Sequence, residues 1–308
     1  MKAIIPVAGA GTKLRPHTYT QPKALIPIAG KTVLSIIVDQ LQEAGIHEFV
    51  FIIGYLGDKI QDYIKESFPH IHSTFVTQNE RQGLGHAIML SKEHVAGDEA
   101  IIVLGDTICE YDVKDVLQTN QSMLGVKKVD DPRSFGVAEV DEEGKILKVV
   151  EKPQIPKSNL ALVGIYKIKD TNMLYDCLEL NYREGVKNRD EYSLTDALQC
   201  MIEKGTDFKS FKVLNWFDCG NKESLLESNS TLLKKFGTSI SPDHRFENVI
   251  VVEPVSIGKN CEIKNSIIGS YADLFDIVLE DSLIGSDTEV KGETRSLNIG
   301  DNTEIDLG

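Results

Sequence analysis

Residues 4–30 read IIPVAGAGTKLRPHTYTQPKALIPIAG: an apolar run, two glycines, then Lys13, Arg15 and Lys23 with no carboxylate among them. The apolar run has the make-up of a buried strand, and the glycines open a loop whose backbone N–H groups can approach an anion. Cations placed directly after a first strand point to phosphate. Two common phosphate loops begin this way, and neither fits. A dinucleotide loop needs glycine at the third position of GxGxxG, and a Walker A loop needs its second glycine at the same place. Gly9 and Gly11 match, but Leu14 stands where either pattern requires glycine.

Outward from this loop the chain alternates. A helix is predicted over 32–44, with Val33, Ile36, Ile37, Leu41 and Ala44 on one face and Gly45 just past its end. Strands EFVFIIG, STFVTQ and AIIVLGD then alternate with helices DKIQDYIKESF and GLGHAIMLSKEHV. Nearly uniformly apolar strands between helices imply an α/β fold, a doubly wound parallel sheet covered on both faces. After Ser122 the texture becomes hairpin-like: FGVAEV, the turn DEEG, KILKVVEK and LALVGIYKI predict an antiparallel insertion beside that sheet. Helices are predicted again over 171–183, 194–203 and 222–236.

Beyond about residue 237 apolar residues recur six apart, as in Ile257 and Ile263, Ile284 and Val290, Ile299 and Ile305, with glycine after Ile257, Ile284 and Ile299. Hexapeptide repeats of this kind build a small left-handed parallel β-helix. The expected domains are 1–237 and 238–308.

Composition limits the function. The 308 residues carry a net charge of −14, which repels nucleic acid and anionic membrane and requires a local cationic pocket for any anionic ligand. The five cysteines, 109, 177, 200, 219 and 261, form no CxxC pair, which speaks against zinc or a disulfide framework and for a reducing, cytoplasmic setting. No apolar run reaches the ~18 residues of a membrane span.

GAGTKLRPHTYTQPK, residues 9–23, resembles the signature of the sugar-1-phosphate nucleotidylyltransferases (the NDP-sugar pyrophosphorylases), GxGTRLRP followed by PK. Lys13 stands where that family has arginine. Further motifs follow in the family's order over about residues 1–236. QNERQGLGHA resembles the base-reading segment, with Gln78 and Gly83. LGDT carries Asp106; FGVAEVD and VVEKP supply Gly136, Glu151 and Lys152; LVGIY supplies Gly164; WFDCG supplies Asp218. GLGHA and SLTDAL lean towards the glucose-1-phosphate uridylyltransferase branch, while the length and tail look more like thymidylyltransferase relatives.

The resemblance implies a Rossmann-like mixed sheet and transfer of a nucleotidyl group from a nucleoside triphosphate (UTP or dTTP) to a sugar 1-phosphate, glucose 1-phosphate foremost. It implies Mg²⁺ held by Asp106 and Asp218. Ala8, Gly9, Gly11 and Thr12 form the nucleotide loop with Gln78 and Gly83 at the base. Lys13, Arg15 and Lys23 are the catalytic cations. Gly136, Glu151, Lys152 and Gly164 bind the sugar phosphate. Each group follows a strand, and open α/β sheets bind ligands beyond the carboxyl ends of their strands. A phosphate nucleophile is already ionised, so positioning and charge neutralisation are the demands on the protein, and no general base is needed. His86, Trp216 and Cys219 are read as packing residues.

Lysine at 13 keeps the charge but loses the planar fork of guanidinium, which Arg15 can supply. That departure leaves a second reading open, a non-catalytic relative that binds sugar nucleotides or regulates. A separate acyltransferase activity in the tail finds no histidine between 247 and 308 to support it. Homo-oligomer assembly is the expected use of the tail.

Overall fold

The computed structural model describes residues 1–236, 246–292 and 296–306. The chain falls into two compact units, Met1–Gly9 with Ile37–Trp216, and Ala10–Ile36 with Phe217–Gly308. This division differs from the boundary at 237/238 read from the sequence. The segment after the glycine loop clusters with the C-terminal part of the chain because side-chain bonds join them. For example, the buried Asn229 Oδ1 accepts from the Ala29 N–H at 2.8 Å.

The first unit is built on a nine-stranded mixed sheet. Its parallel half runs His72–Thr77, Glu48–Ile53, Lys2–Pro6, Ala100–Val103, in that spatial order. The central strands are buried on both faces, with Ile4, Ile5, Phe51, Ile52, Ile101 and Ile102 inaccessible, which is why they read as unbroken apolar runs. Leu160–Ile168 pairs antiparallel with Ala100–Val103 and continues the same sheet. The hairpin of Gly136–Val140 and Ile146–Glu151 pairs onto Leu160 and Ala161. Ser122–Lys128 pairs antiparallel along the other edge of that strand, and Phe208–Lys212 pairs parallel with Ser122–Lys128. The hairpin is therefore part of the sheet, and not an insertion beside it. Leu160–Ile168 is long enough to carry two sets of partners, its register shifting between Leu162 and Tyr166.

Predicted helices recur at Gly57–Ser67, Thr171–Glu184 and Leu194–Glu203. The expected single helix over 83–95 is two, Leu84–Met89 and Lys92–Val95, because the Ser91 hydroxyl bonds back to the Ile88 carbonyl at 2.6 Å and closes the first. A strand Thr107–Glu110 and a helix Val113–Gln118 escaped the sequence reading. The buried Lys167 ammonium donates to the Leu117 carbonyl at 2.9 Å and also to that of Thr119, capping that helix.

In the second unit, three short turns (Thr12–Leu14, His17–Tyr19 and Lys23–Leu25), the helix Lys222–Phe236 and a series of short parallel strands pack together. The strands stack coil on coil in three ladders. Phe246, Ile263 and Leu279 form one; Val251, Ile268, Ile284 and Ile299 the second; Ile257, Leu274, Val290 and Ile305 the third. The six-residue spacing seen in the sequence is the step from the second ladder to the third at Ile284 and Val290 and at Ile299 and Ile305, and the step from the third to the first at Ile257 and Ile263. The whole coil is shorter than three such steps, with third-ladder partners 17, 16 and 15 residues apart in turn. Among the described residues no helix is long and apolar enough to cross a membrane.

Candidate active site

Three adjacent parallel strands of the first unit end together. The Val7 N–H donates to the Ile52 carbonyl at 2.8 Å, and the Gly105 N–H reaches the Pro6 carbonyl at 3.4 Å. Ala8 is buried, whereas Gly9 is exposed with nothing within 4 Å of where a Cβ would stand. The loop backbone at Gly9 is thus open to a ligand. Asp106, half-buried, lies three residues past the end of Ala100–Val103, and its Oδ1 accepts from the Thr107 hydroxyl at 3.1 Å.

Gly164 lies at the register shift of the long strand and shapes this strand end. It has φ 84°, its carbonyl accepts from the Leu104 N–H at 3.0 Å, and a Cβ would meet the Leu104 side chain at 2.7 Å. Both the positive φ and the close approach require glycine. Its role is to seat the Leu104–Asp106 turn.

Gln78 and Gly83 sit on one loop. The buried Gln78 amide nitrogen donates to the Gly83 carbonyl at 3.2 Å and lies 3.1 Å from His86 Nδ1. Its N–H₂ is therefore engaged inside the loop, which leaves the amide oxygen, an acceptor, as the group it could offer elsewhere. Gly83 has φ 102°, and a Cβ there would meet the Tyr192 carbonyl oxygen at 2.6 Å. The loop is clasped to residue 192 by two bonds, Tyr192 N–H to the Gln82 carbonyl and Gly85 N–H to the Tyr192 carbonyl, each 2.8 Å. His86 stacks on Tyr182, and burial holds its pKa below the ordinary histidine value despite the opposing charge of Glu80.

The hairpin brings the sugar-phosphate candidates together. Glu151 pairs in register with Gly136, and a Cβ on Gly136 would meet Leu162 at 2.9 Å and the Thr195 hydroxyl at 3.0 Å. The Glu151 carboxylate accepts from Thr195 Oγ1 at 2.6 Å and pairs with the Lys152 ammonium at 3.3 Å. Lys152 has φ 42°, a turn that swings its side chain out of the strand, and its N–H is held by the Phe135 carbonyl at 3.0 Å.

Two residues of this cluster escaped the sequence reading. Thr195 and Asp196 open the helix Leu194–Glu203, which is capped by Ser193. Burial, with the Glu151 charge adding, pushes the Asp196 carboxyl above its usual range. The segment SLTDAL is the only signal for them in the sequence. Tyr166 is buried in the same unit; burial raises its phenol, and the charges of Glu151 and Asp106 both act on it in the same direction. The strand Leu160–Ile168 links the two, since its Leu162 lies against Gly136 opposite Glu151 and its Gly164 holds Leu104 two residues before Asp106.

The other candidates belong to the second unit. Gly11 takes φ 61°, and its carbonyl accepts from the Leu14 N–H at 2.9 Å and the Thr18 hydroxyl at 2.8 Å. Thr12, Lys13 and Arg15 are exposed, and Leu14 is buried between them, which explains why this position is not glycine. The Arg15 guanidinium lies 5.0 Å above the Tyr19 ring. Lys23 begins the third short turn, half-buried after Pro22. Asp218 ends the strand Asn215–Asp218, and its Oδ1 accepts from the Gly220 N–H at 2.8 Å.

Among the described residues no three His, Cys, Asp or Glu side chains gather to hold a metal. What the candidates offer is single carboxylates, Asp106 in the first unit and Asp218 in the second. That donor set does not fit zinc and fits Mg²⁺, which keeps waters and substrate phosphates in its shell.

Polar groups set at the carboxyl ends of a mixed, Rossmann-like sheet define an α/β protein that handles nucleotides. The chain belongs to the nucleotidyl transferase family, whose model matches residues 2–235. It is 34% identical over 307 residues to the bifunctional protein GlmU of Methanocaldococcus jannaschii, covering 94% of this chain and 72% of that one. It is 30% identical over 309 residues to a glucose-1-phosphate thymidylyltransferase of Streptomyces antibioticus, covering 96% and 84%. Among solved structures, a UDP-glucose pyrophosphorylase complexed with UDP-glucose superimposes with a TM-score of 0.67 at 26% identity, over 76% of this chain and 98% of that one. The protein is a nucleotidyltransferase enzyme.

Proposed function

We propose that the protein transfers a nucleotidyl group from UTP or dTTP to a sugar 1-phosphate, glucose 1-phosphate foremost, releasing pyrophosphate. A phosphate oxygen of the sugar 1-phosphate forms a bond to the α-phosphorus, and the bond from that phosphorus to the β-phosphate oxygen breaks. The electron pair leaves with pyrophosphate. The observation that carries this reading is the first unit's cluster of Gly136, Glu151, Lys152 and Thr195, linked through the strand Leu160–Ile168 to the turn that bears Asp106. A carboxylate fixed by two neighbours suits sugar hydroxyls, and a lysine turned out of its strand suits a phosphate.

In this reading Ala8, Gly9, Gly11 and Thr12 wrap the triphosphate, while Lys13, Arg15 and Lys23 neutralise its charge and that of the attacking phosphate. Gln78 accepts from the base, which suits the N3–H shared by uracil and thymine, and Gly83 leaves room for the ring. Asp106 and Asp218 would hold Mg²⁺, which when bound supplies further neutralisation of phosphate charge. Gly164 acts through the backbone it seats. We also take the parallel coils as a left-handed β-helix used in homo-oligomer assembly, and place the protein in the cytoplasm.

A panel of triphosphates against sugar 1-phosphates, with and without Mg²⁺, tests the proposal. Pyrophosphate is expected only when all three components are present, with UTP or dTTP preferred. Lysine in place of arginine at 13 favours one rival, a protein that binds sugar nucleotides without turnover. It predicts thermal stabilisation by ligand and no pyrophosphate in any well.

A further inference from the structure

We propose that Asn298 and Asp301, in the last described coil, are positioning residues for the triphosphate loop, so that the coiled region takes part in nucleotide binding. The inference rests on the assignment of Lys13 and Arg15 to the triphosphate.

All the groups concerned lie within the second unit. The Asn298 side chain makes two bonds to the signature segment some 280 residues earlier in the chain. Its Oδ1 lies 2.8 Å from His17 Nε2, and its Nδ2 donates to the Arg15 carbonyl at 3.3 Å. His17 is buried at this contact. Asp301 reaches in two directions. One carboxylate oxygen accepts from the Thr20 hydroxyl, and the other accepts from the Ser286 N–H of the preceding coil at 2.6 Å. Between these two side chains, Gly300 meets Pro16 so closely that a Cβ there would stand 3.0 Å from the Pro16 ring.

Residues 15–20 are therefore pinned at Arg15, Pro16, His17 and Thr20 by a single coil. The pinned segment in turn supports the glycine loop, because the Thr18 hydroxyl donates to the Gly11 carbonyl. Lys13 is exposed, and Arg15, also exposed, rests on the Tyr19 ring of the same pinned segment. Their backbone is held from beneath by the coil. Loops that carry phosphate-binding cations lose binding when their backbone drifts by about an ångström, and this is the drift that the two side chains prevent.

The test is steady-state kinetics on the full chain with Asn298→Leu, Asp301→Ala, Asp301→Asn and Lys13→Ala. Asn298→Leu and Asp301→Ala are expected to raise KM for the triphosphate about tenfold and to leave KM for the sugar 1-phosphate within about twofold. Asp301→Asn keeps an acceptor for Ser286 and a partner for Thr20, and is expected to stay near wild type. Thr20→Val, which removes only one of these bonds, replaces any variant that does not fold, with a smaller rise in the same KM. Unchanged KM values in Asn298→Leu and Asp301→Ala, or both KM values rising together with a lower Tm, overturn the proposal. If Lys13→Ala still raises the triphosphate KM, the functional reading survives that result. If wild type releases no pyrophosphate, or Lys13→Ala leaves the triphosphate KM unchanged, the reading beneath fails and takes the proposal with it.

Discussion

The two units fix their candidate residues by different means. In the first, backbone register and close approach do the work. Glu151 is opposite Gly136 because two strands pair; Asp106 lies three residues past a strand end; Gly83 and Gly164 stand where a Cβ would collide. In the second, the cations sit on short turns whose hold on the rest of the unit is made by side chains, Asn298 and Asp301 above all. Register is cooperative and tolerates little displacement, whereas a turn held by a few side-chain bonds can shift when one is lost. The largest effects should therefore fall in the first unit and the smallest in the second.

The largest expected effect is in the first unit. Asp106→Ala should cost about 3 kcal/mol of transition-state stabilisation, roughly a hundredfold in kcat; near wild-type turnover would remove Asp106 from the site. Gly83→Ala should follow. The positive φ and the contact with Tyr192 should cost about 2–3 kcal/mol, read as a lower Tm together with weaker triphosphate binding. Thr195→Val leaves the Glu151 carboxylate without its 2.6 Å donor and should lower kcat/KM for the sugar 1-phosphate about tenfold, with the triphosphate KM unchanged. An equal loss for both substrates would mean that Thr195 serves folding alone.

The smallest effect concerns the second unit and pH. Burial holds His17 below its ordinary pKa of 6.5, against the opposing pull of Asn298 and Asp301. The unfolded chain then binds the proton more readily than the folded one, so stability is complete above about pH 6.5 and declines as pH falls from there towards the lower, folded value. Tm should drop on acidification through that window, and His17→Gln should flatten the decline. A Tm that rose on acidification in this range would reverse the assignment.

The same contrast governs what could be read from the sequence. The apolar runs Ala100–Val103 and Glu48–Ile53 and the helices Leu194–Glu203 and Lys222–Phe236 follow from local pattern, so they were legible. The placement of the hairpin was not, because it depends on Leu160–Ile168 being shared between partners, a matter of tertiary pairing. The tail's spacing was partly legible: six residues separate two ladders, but the coil closes in 15 to 17 because other steps, such as Ile263 to Ile268, take five. Candidates near strand ends, such as Asp106 and Glu151, stand in short contiguous motifs, LGDT and VVEKP, and are legible for that reason. Thr195 and Asn298 are not, since what matters about each is a bond to a residue 44 or some 280 positions away.

Isotope transfer tests the central claim most directly. Glucose 1-phosphate carrying ¹⁸O in its phosphate, incubated with UTP or dTTP and Mg²⁺, should give a nucleotide sugar that holds the label and pyrophosphate that holds none, because the sugar phosphate attacks the α-phosphorus. Labelled pyrophosphate, or the absence of any labelled nucleotide sugar, would contradict the account.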